Sequence, residues 1–318
     1  MITYADLKLF SINVKLWKVM GILESKSYKR AVAITALPIV MIFGVFYDGD
    51  PELSKILREG IRRANKISKY GLIITSIACF GTTLYPLLLE NRKLPIKISV
   101  PGINVLESPF YEIIYFVEYF LIGPWALCTY IPFTNLFISW IIFGIVFLRC
   151  LQQKLSKLGD MNNDDMLRIL RDCVKMHKWI IRYHEHLNEL VSFVNLVELL
   201  FSGLMVCVLL VFITASKSWM IKFHGSIYIF GCLYTLFLSY WHANEFSLES
   251  EKVAESVYGI NWMNGSKKLT KCIVIMMSRS QQSLQFRAGN WCPMTLETFQ
   301  ALLNASYSFF TLMQRFSP

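Results

Sequence analysis

Six stretches of the chain run for about the length of a membrane crossing without a charge near their centres, and charged segments separate them. They lie at 31–47, 70–89, 119–148, 193–216, 223–244 and 298–315; the fourth is charge-free from Leu199 to Ser216. A spanning helix needs roughly 20 mostly apolar residues, and a charge at its centre costs about 2.5 to 3.5 kcal/mol on insertion scales. The pattern therefore predicts an all-α, multi-span transmembrane helical bundle of about six spans. The third run is too long for one straight crossing, which predicts a tilted helix bent at Pro124 or Pro132.

Between the runs the period is also helical. Met166, Leu170, Cys173, His177, Ile180 and Ile181 recur at three- and four-residue spacing, so the helix of the fourth run is expected to begin well before it. Helical segments are expected over 149–192 and 246–294. In the second of these, Ser250, Ala254, Tyr258 and Trp262 fall four apart and predict a stripe packed on other helices. Gly259, Gly265 and Gly289 mark breaks, and Trp291-Cys292-Pro293 closes the loop before the last run. The stretch Glu52 to Glu59 reads as amphipathic and cytoplasmic. No repeat or Pro- and Gly-rich linker divides the chain, so 1–318 is read as a single membrane domain.

Composition agrees with burial in lipid: 54% of the 318 residues are hydrophobic and only 17% are charged, which is too apolar for a soluble domain of this size. The first run follows thirty residues with six Lys or Arg and has no small-residue cleavage site, so it is expected to insert uncleaved. The eight cysteines lack paired spacing and form no disulfide framework.

The net charge of +10 sits in loops between apolar runs, which fits an anionic leaflet and excludes a nucleic-acid partner. Lys and Arg number six before the first run, six over 48–69, three over 90–118, eight over 149–197, two over 217–222 and six over 245–297. Basic loops stay cytoplasmic, which places 48–69, 149–197 and 245–297 inside and the C-terminus outside. One apolar run nevertheless separates two basic segments at the start. Either the first run is re-entrant or lies on the surface, or a span of the parent architecture is absent between Tyr47 and Lys66. A cytoplasmic N-terminus with an outer C-terminus is the inverse of a G-protein-coupled receptor.

Little points to catalysis. No G-x-S-x-G, H-E-x-x-H or phosphate loop occurs, so the chain is read as no enzyme, without cofactor or catalytic residue. Cys173 and His177 lie four apart, but no matching third ligand makes them a metal site. Asn264-Gly265-Ser266 and Asn304-Ala305-Ser306 fit the glycosylation pattern but fall in a cytoplasmic loop and a span. Glu118 and Glu198 lie near the ends of runs, where a carboxylate reaches water or a Lys; coupled small-molecule transport through them is the alternative reading.

The ordered set Arg279-Ser280-Gln281, Ala288-Gly289, Thr298-Phe299 and Ala305-Ser306-Tyr307-Ser308-Phe309-Phe310-Thr311-Leu312 resembles the C-terminal signature of insect odorant receptors. Upstream matches include Ser250, Ala254, Tyr258, Trp262, Cys207, Cys173, His177, Leu94-Pro95, Ser108-Pro109, Tyr111-Glu112 and Tyr115, with Phe10-Ser11-Ile12-Asn13 near the start. Ser283 and Glu118 depart from the family's usual proline and glutamine. Family members have seven spans, and in register the piece missing here is the second, in line with the charge count.

The resemblance implies a ligand-specific subunit that joins a shared coreceptor in a tetramer, with the N-terminus in the cytoplasm. That assembly is an odorant-gated cation channel, multi-pass in the plasma membrane of olfactory neurons, and its pore is lined by the last span. Ser308, Thr311 and Gln314 would then face the pore, with Leu312 or Phe316 as an apolar constriction; alternatively these polar groups bond neighbouring helices. A pocket for a small volatile ligand would be apolar with few polar groups, drawing on Phe80, Thr83, Tyr85, Trp125, Tyr130, Tyr228 and Tyr234. The same aromatics could be core or interfacial belt. A shortened or incomplete, non-conducting variant is the other reading within the family.

Overall fold

The computed structural model describes residues 51–84, 108–117, 123–160, 163–216, 218–260, 262 and 265–316. The expected run at 31–47 lies outside these residues, as do the ends of the next two at 85–89 and 119–122.

Among the described residues the chain forms seven helices and one short hairpin. Helix α1, Pro51–Leu84, opens on a proline with Glu52 in its first turn, where a missing N–H is harmless and an acid meets the helix dipole. Leu53, Leu57, Ala64 and Ser68 are buried along one face, the three-to-four spacing of an amphipathic helix. The amphipathic stretch and the apolar run after Tyr70 are thus one helix, without a break between them. A short helix, α2, Phe110–Val117, follows and buries no residue.

Helix α3, Gly123–Ser156, carries both Pro124 and Pro132 without interruption; Pro124 falls in the first turn, where its absent N–H costs no bond. After a 3-10 turn, Lys157–Asp160, helix α4 runs unbroken over Asn163–Ala215, roughly 80 Å at 1.5 Å per residue. Helix α5, Trp219–Tyr258, returns beside α3. Its end at Gly259 is followed by helix α6, Lys267–Ser280, whose N-cap Ser266 accepts from the Leu269 N–H at 3.3 Å. Beyond α6 the expected helix does not continue but gives way to a hairpin: β1, Arg287–Ala288, pairs antiparallel with β2, Cys292–Pro293. Gly289 and Asn290 turn the hairpin at φ 60° and 63°, a region open mainly to Gly and Asn. Helix α7 spans Leu296–Phe316.

α3 is the axis of the bundle. Ile141, Phe143, Ile145, Leu148 and Leu151 are at most 1% exposed, with α1, α4 and α5 packed around them. By length and composition two helices carry a stretch able to cross a membrane among the described residues, Phe133–Ser156 of α3 and a stretch of α4 within Asp164–Ala215. The α3 stretch is 89% buried in the chain and the α4 stretch 28%, so α3 is core while α4 turns an apolar wall outward.

The expected stripe from Ser250 to Trp262 is interrupted at Tyr258, while Trp262, beyond the helix end, packs against the core. Ser250 is buried, and its hydroxyl donates to the Ser247 carbonyl at 2.7 Å and accepts from the Leu284 N–H at 2.9 Å. Tyr258 is 66% exposed, whereas Val253, Val257 and Ile260 are buried. Steps of four residues advance about 40° beyond a full turn, and two steps carry the stripe off the packed face.

Candidate functional site

Helix α7 starts from a threonine turn: the Thr298 hydroxyl donates to the Pro293 carbonyl at 2.7 Å, and the Thr298 N–H donates to Thr295 Oγ1. One narrow face then packs on the bundle. Phe299 meets Phe237 edge-on at 5.6 Å and Tyr240 at 6.5 Å. One turn on, α7 crosses α4 at Gly203, where an added Cβ would lie 2.8 Å from Leu302 Cδ1. The Ser306 hydroxyl donates to the Gly203 carbonyl at 3.5 Å, and the Cys207 thiol donates to the Ser306 carbonyl at 3.4 Å. Such close approach is what a small residue permits between spanning helices.

A second face of α7 is polar and unpacked. At about 100° per residue, Glu297, Gln300, Asn304, Ser308, Thr311 and Arg315 fall within roughly a quarter turn of one another, and all but the half-buried Thr311 are exposed. The Thr311 hydroxyl donates to the Ser308 carbonyl at 2.8 Å. Of the residues expected to line a pore, Ser308, Thr311 and Gln314 fall on this stripe or its margin, and Leu312, 49% exposed, on its other edge. The Phe316 side chain lies outside the described residues. Glu297, Gln300 and Asn304 were missed, although the spacing 300, 304, 308 signals one helical face.

The aromatic set expected to bind a ligand is described only at Tyr228 and Tyr234. Tyr85, and the side chains of Phe80, Thr83, Trp125 and Tyr130, lie outside the described residues. Tyr228 is exposed on α5 beside His224, and Tyr234 stacks on Phe230 at 6.3 Å. Six residues apart on one helix, the two tyrosines point in different directions.

At the other end of α1 and α5 a charge network ties three helices. Arg63 of α1 donates to both carboxylate oxygens of Glu245 on α5 at 2.6 Å, the bidentate geometry of a strong ion pair. Arg149 of α3 reaches Glu245 and Glu249 at 3.1 Å each, and Gln152 donates to Glu249 at 3.2 Å. Burial alone would raise the Glu249 carboxyl, but Gln152, Arg149 and Lys252 outweigh it and hold it below the usual range.

Behind the network sits an aromatic core. Phe147, Trp179 and Tyr183 interlock edge and face, and the Tyr183 hydroxyl donates to the Trp140 carbonyl at 2.8 Å. Phe286, just before the hairpin, packs against both His184 and Phe246, at 4.8 and 5.1 Å, while those two rings stack on each other at 5.6 Å. Cys173 and His177 face this interior: burial pushes the thiol up to about 12 and the imidazole, beside Arg279, down to about 4. Among the described residues no group of His, Cys, Asp and Glu is placed to hold a metal.

The hairpin is stitched to α4. Gly289 N–H donates to the Ser192 carbonyl at 2.9 Å, Asn290 N–H to the Ser192 hydroxyl at 3.1 Å, and Arg287 N–H to Asn188 Oδ1 at 2.7 Å. A cleft of about 570 Å³ opens between these two elements.

Comparison with known proteins places this architecture. Residues 33–307 match the family model described as 7tm Odorant receptor. Odorant receptor 10 of Aedes albopictus is 37% identical over 271 residues, covering 84% of this chain and 72% of that protein. Odorant receptor Or2 of Anopheles gambiae is 35% identical over 83% of this chain and 71% of its own length. Odorant receptor 30a of Drosophila melanogaster is 32% identical, with 84% and 71% covered. In fold, the chain is similar to the insect olfactory receptor OR5 from Machilis hrabei, solved in complex with eugenol, with a TM-score of 0.70 at 17% identity over 83% of this chain and 70% of that one. A second structure of that receptor matches over 98% and 82%, also at 0.70.

Proposed function

Because this chain belongs to the insect odorant receptor family, we propose that it is the ligand-specific subunit of an odorant-gated, non-selective cation channel in the plasma membrane of olfactory neurons. The C-terminus is extracellular, in keeping with the basic loops from 48–69 onward, and the N-terminus is cytoplasmic, as the family architecture implies. The shared coreceptor supplies the remaining subunits of a tetramer, and α7 of each subunit lines the pore.

The observation that carries this reading is the polar stripe of α7, Gln300, Asn304 and Ser308, which stays exposed while the opposite side of the helix packs on Gly203 and Phe237. Lipid penalises such a stripe, whereas a water-filled path shared with other subunits rewards it. The ligand is a small volatile with an apolar body and few polar groups, of the kind eugenol represents, held between the outer ends of α1, α3 and α5.

The test is co-expression with the coreceptor and exposure to an odorant panel. An odorant-evoked cation current above that of the coreceptor alone supports the proposal; identical currents overturn it. A second reading, a shortened receptor that assembles without conducting, is favoured by the two basic segments on either side of a single apolar run, 31–47. Normal surface delivery with coreceptor-only currents across the panel would select it.

A further inference from the structure

The cleft between α4 and the hairpin has walls unlike the rest of the cytoplasmic face. Glu185 and Glu189 stand one turn apart on α4, both exposed, and Phe193 and Trp291 flank them at 73% and 89% exposure. No ion pair engages either carboxylate among the described residues. His184 forms the floor, 9% exposed, and its Nε2 has no hydrogen-bond partner there. In a chain of net charge +10, this is an acidic, aromatic recess within a basic surface.

Its position narrows the occupant. Phe193 opens the fourth apolar run, and Trp291 lies within two turns of α7, so both walls stand where a headgroup layer meets hydrocarbon, the depth at which Trp concentrates. Beyond the cleft, about a quarter turn further round α4, runs an uncovered ridge, Val197, Leu200, Phe201, Leu204 and Val208, each 48–64% exposed, which Phe193 joins to the cleft wall. Carboxylates at the foot of an apolar ridge match an amphiphile with a cationic head. Ammonium N–H groups satisfy carboxylates, and aromatic faces attract the same charge. Anionic headgroups, which the basic loops draw to this leaflet, are repelled here.

We propose that the cleft seats the ammonium headgroup of a cytoplasmic-leaflet phospholipid, phosphatidylethanolamine in chemistry, with its acyl chains along the α4 ridge. Arg287, exposed on the hairpin and held through its N–H by Asn188, is the cation nearest in sequence to the hairpin turn for the headgroup phosphate. The site rests on the orientation given under the proposed function, but not on conduction.

The full-length chain, purified in mild detergent and offered equimolar phosphatidylethanolamine and phosphatidylglycerol, is read by native mass spectrometry. Retention of the former over the latter by roughly tenfold is expected, the scale of one ion pair reinforced by a cation–π contact. Glu185→Gln with Glu189→Gln abolishes the preference at an unchanged melting temperature, because both side chains are exposed. Equal retention of the two lipids, or a preference that survives the double variant, overturns the proposal. So does displacement by glycerophosphoethanolamine at equal concentration, which would mark a soluble amine. Crosslinking of Trp291→Cys to a neighbouring subunit in membranes also overturns it, because the cleft is then a protein interface. Lipid preference without odorant current would sink the channel reading alone, and current without preference this one alone.

Discussion

Arg63 and Glu245, 182 positions apart in sequence, meet as a two-pronged ion pair with both bonds at 2.6 Å. The pair joins α1 to α5, and α5 in turn carries Phe237 and Tyr240 against Phe299 of α7. The helix proposed to help hold the ligand is thereby tied, through one neighbour, to the helix proposed to line the pore.

Removing one partner of this pair leaves charge behind. Glu245→Gln removes the carboxylate that Arg63 pairs with and leaves Arg149 with Glu249 alone, whereas Arg63→Met leaves Glu245 with Arg149, so the glutamate substitution is expected to cost more. The loss is about 1 to 2 kcal/mol after allowing for the partial exposure of both arginines, with a coupling near 1 kcal/mol between the two sites. Thermal melts of the two single variants and the double variant in nanodiscs measure both.

Acidification should destabilise the inner core. His177 is held neutral, its pKa lowered by burial and then by Arg279 to about 4, whereas in the unfolded chain it titrates near 6.5. The unfolded state therefore takes up the proton first, and stability falls as pH drops from 6.5 towards 4, by roughly 1 kcal/mol at pH 5.5. His184, lowered in the same direction mainly by burial, adds to the slope. Glu249 contributes stability above its ordinary value and loses it as pH falls further, through its lowered folded value. Melting temperature against pH should flatten between 6.5 and 5 in His177→Gln.

The hairpin turn tolerates no side chain at Gly289. Its φ is 60°, and an added Cβ would lie 2.5 Å from Leu196 Cδ2. Gly289→Ala is expected to lower stability by about 1 to 2 kcal/mol from the backbone alone, seen as a lower melting temperature.

The Tyr240 hydroxyl is buried without a partner among the described residues. Tyr240→Phe should therefore leave the melting temperature unchanged or raise it, by about 1 kcal/mol at most. A fall would reveal a bond that the hydroxyl makes in the assembled receptor.

Much of the architecture is legible in sequence because period and charge are local. The three-to-four spacing from Met166 to Ile181 announces that α4 begins far before its apolar run, and Gly259, Gly265 and Gly289 mark real breaks. The continuity of α1 is harder to read, because an amphipathic half and an apolar half look like separate objects when scored by hydropathy. Long-range pairing is not legible at all: nothing near Arg63 points to Glu245, and nothing near Ser192 announces that its carbonyl and hydroxyl will hold a hairpin 97 residues on. On α7 the hydroxyls drew the reading to Ser308 and Thr311, while the stripe's start at Gln300 and Asn304 required knowing which face packs.

The most direct test of α7 as a pore wall is cysteine accessibility in the co-expressed channel. Under odorant, an external thiol-reactive quaternary ammonium reagent should progressively block current through Asn304→Cys and Ser308→Cys while leaving Phe299→Cys and Ser306→Cys untouched. Equal modification of both pairs, or of neither in a conducting channel, would contradict the account.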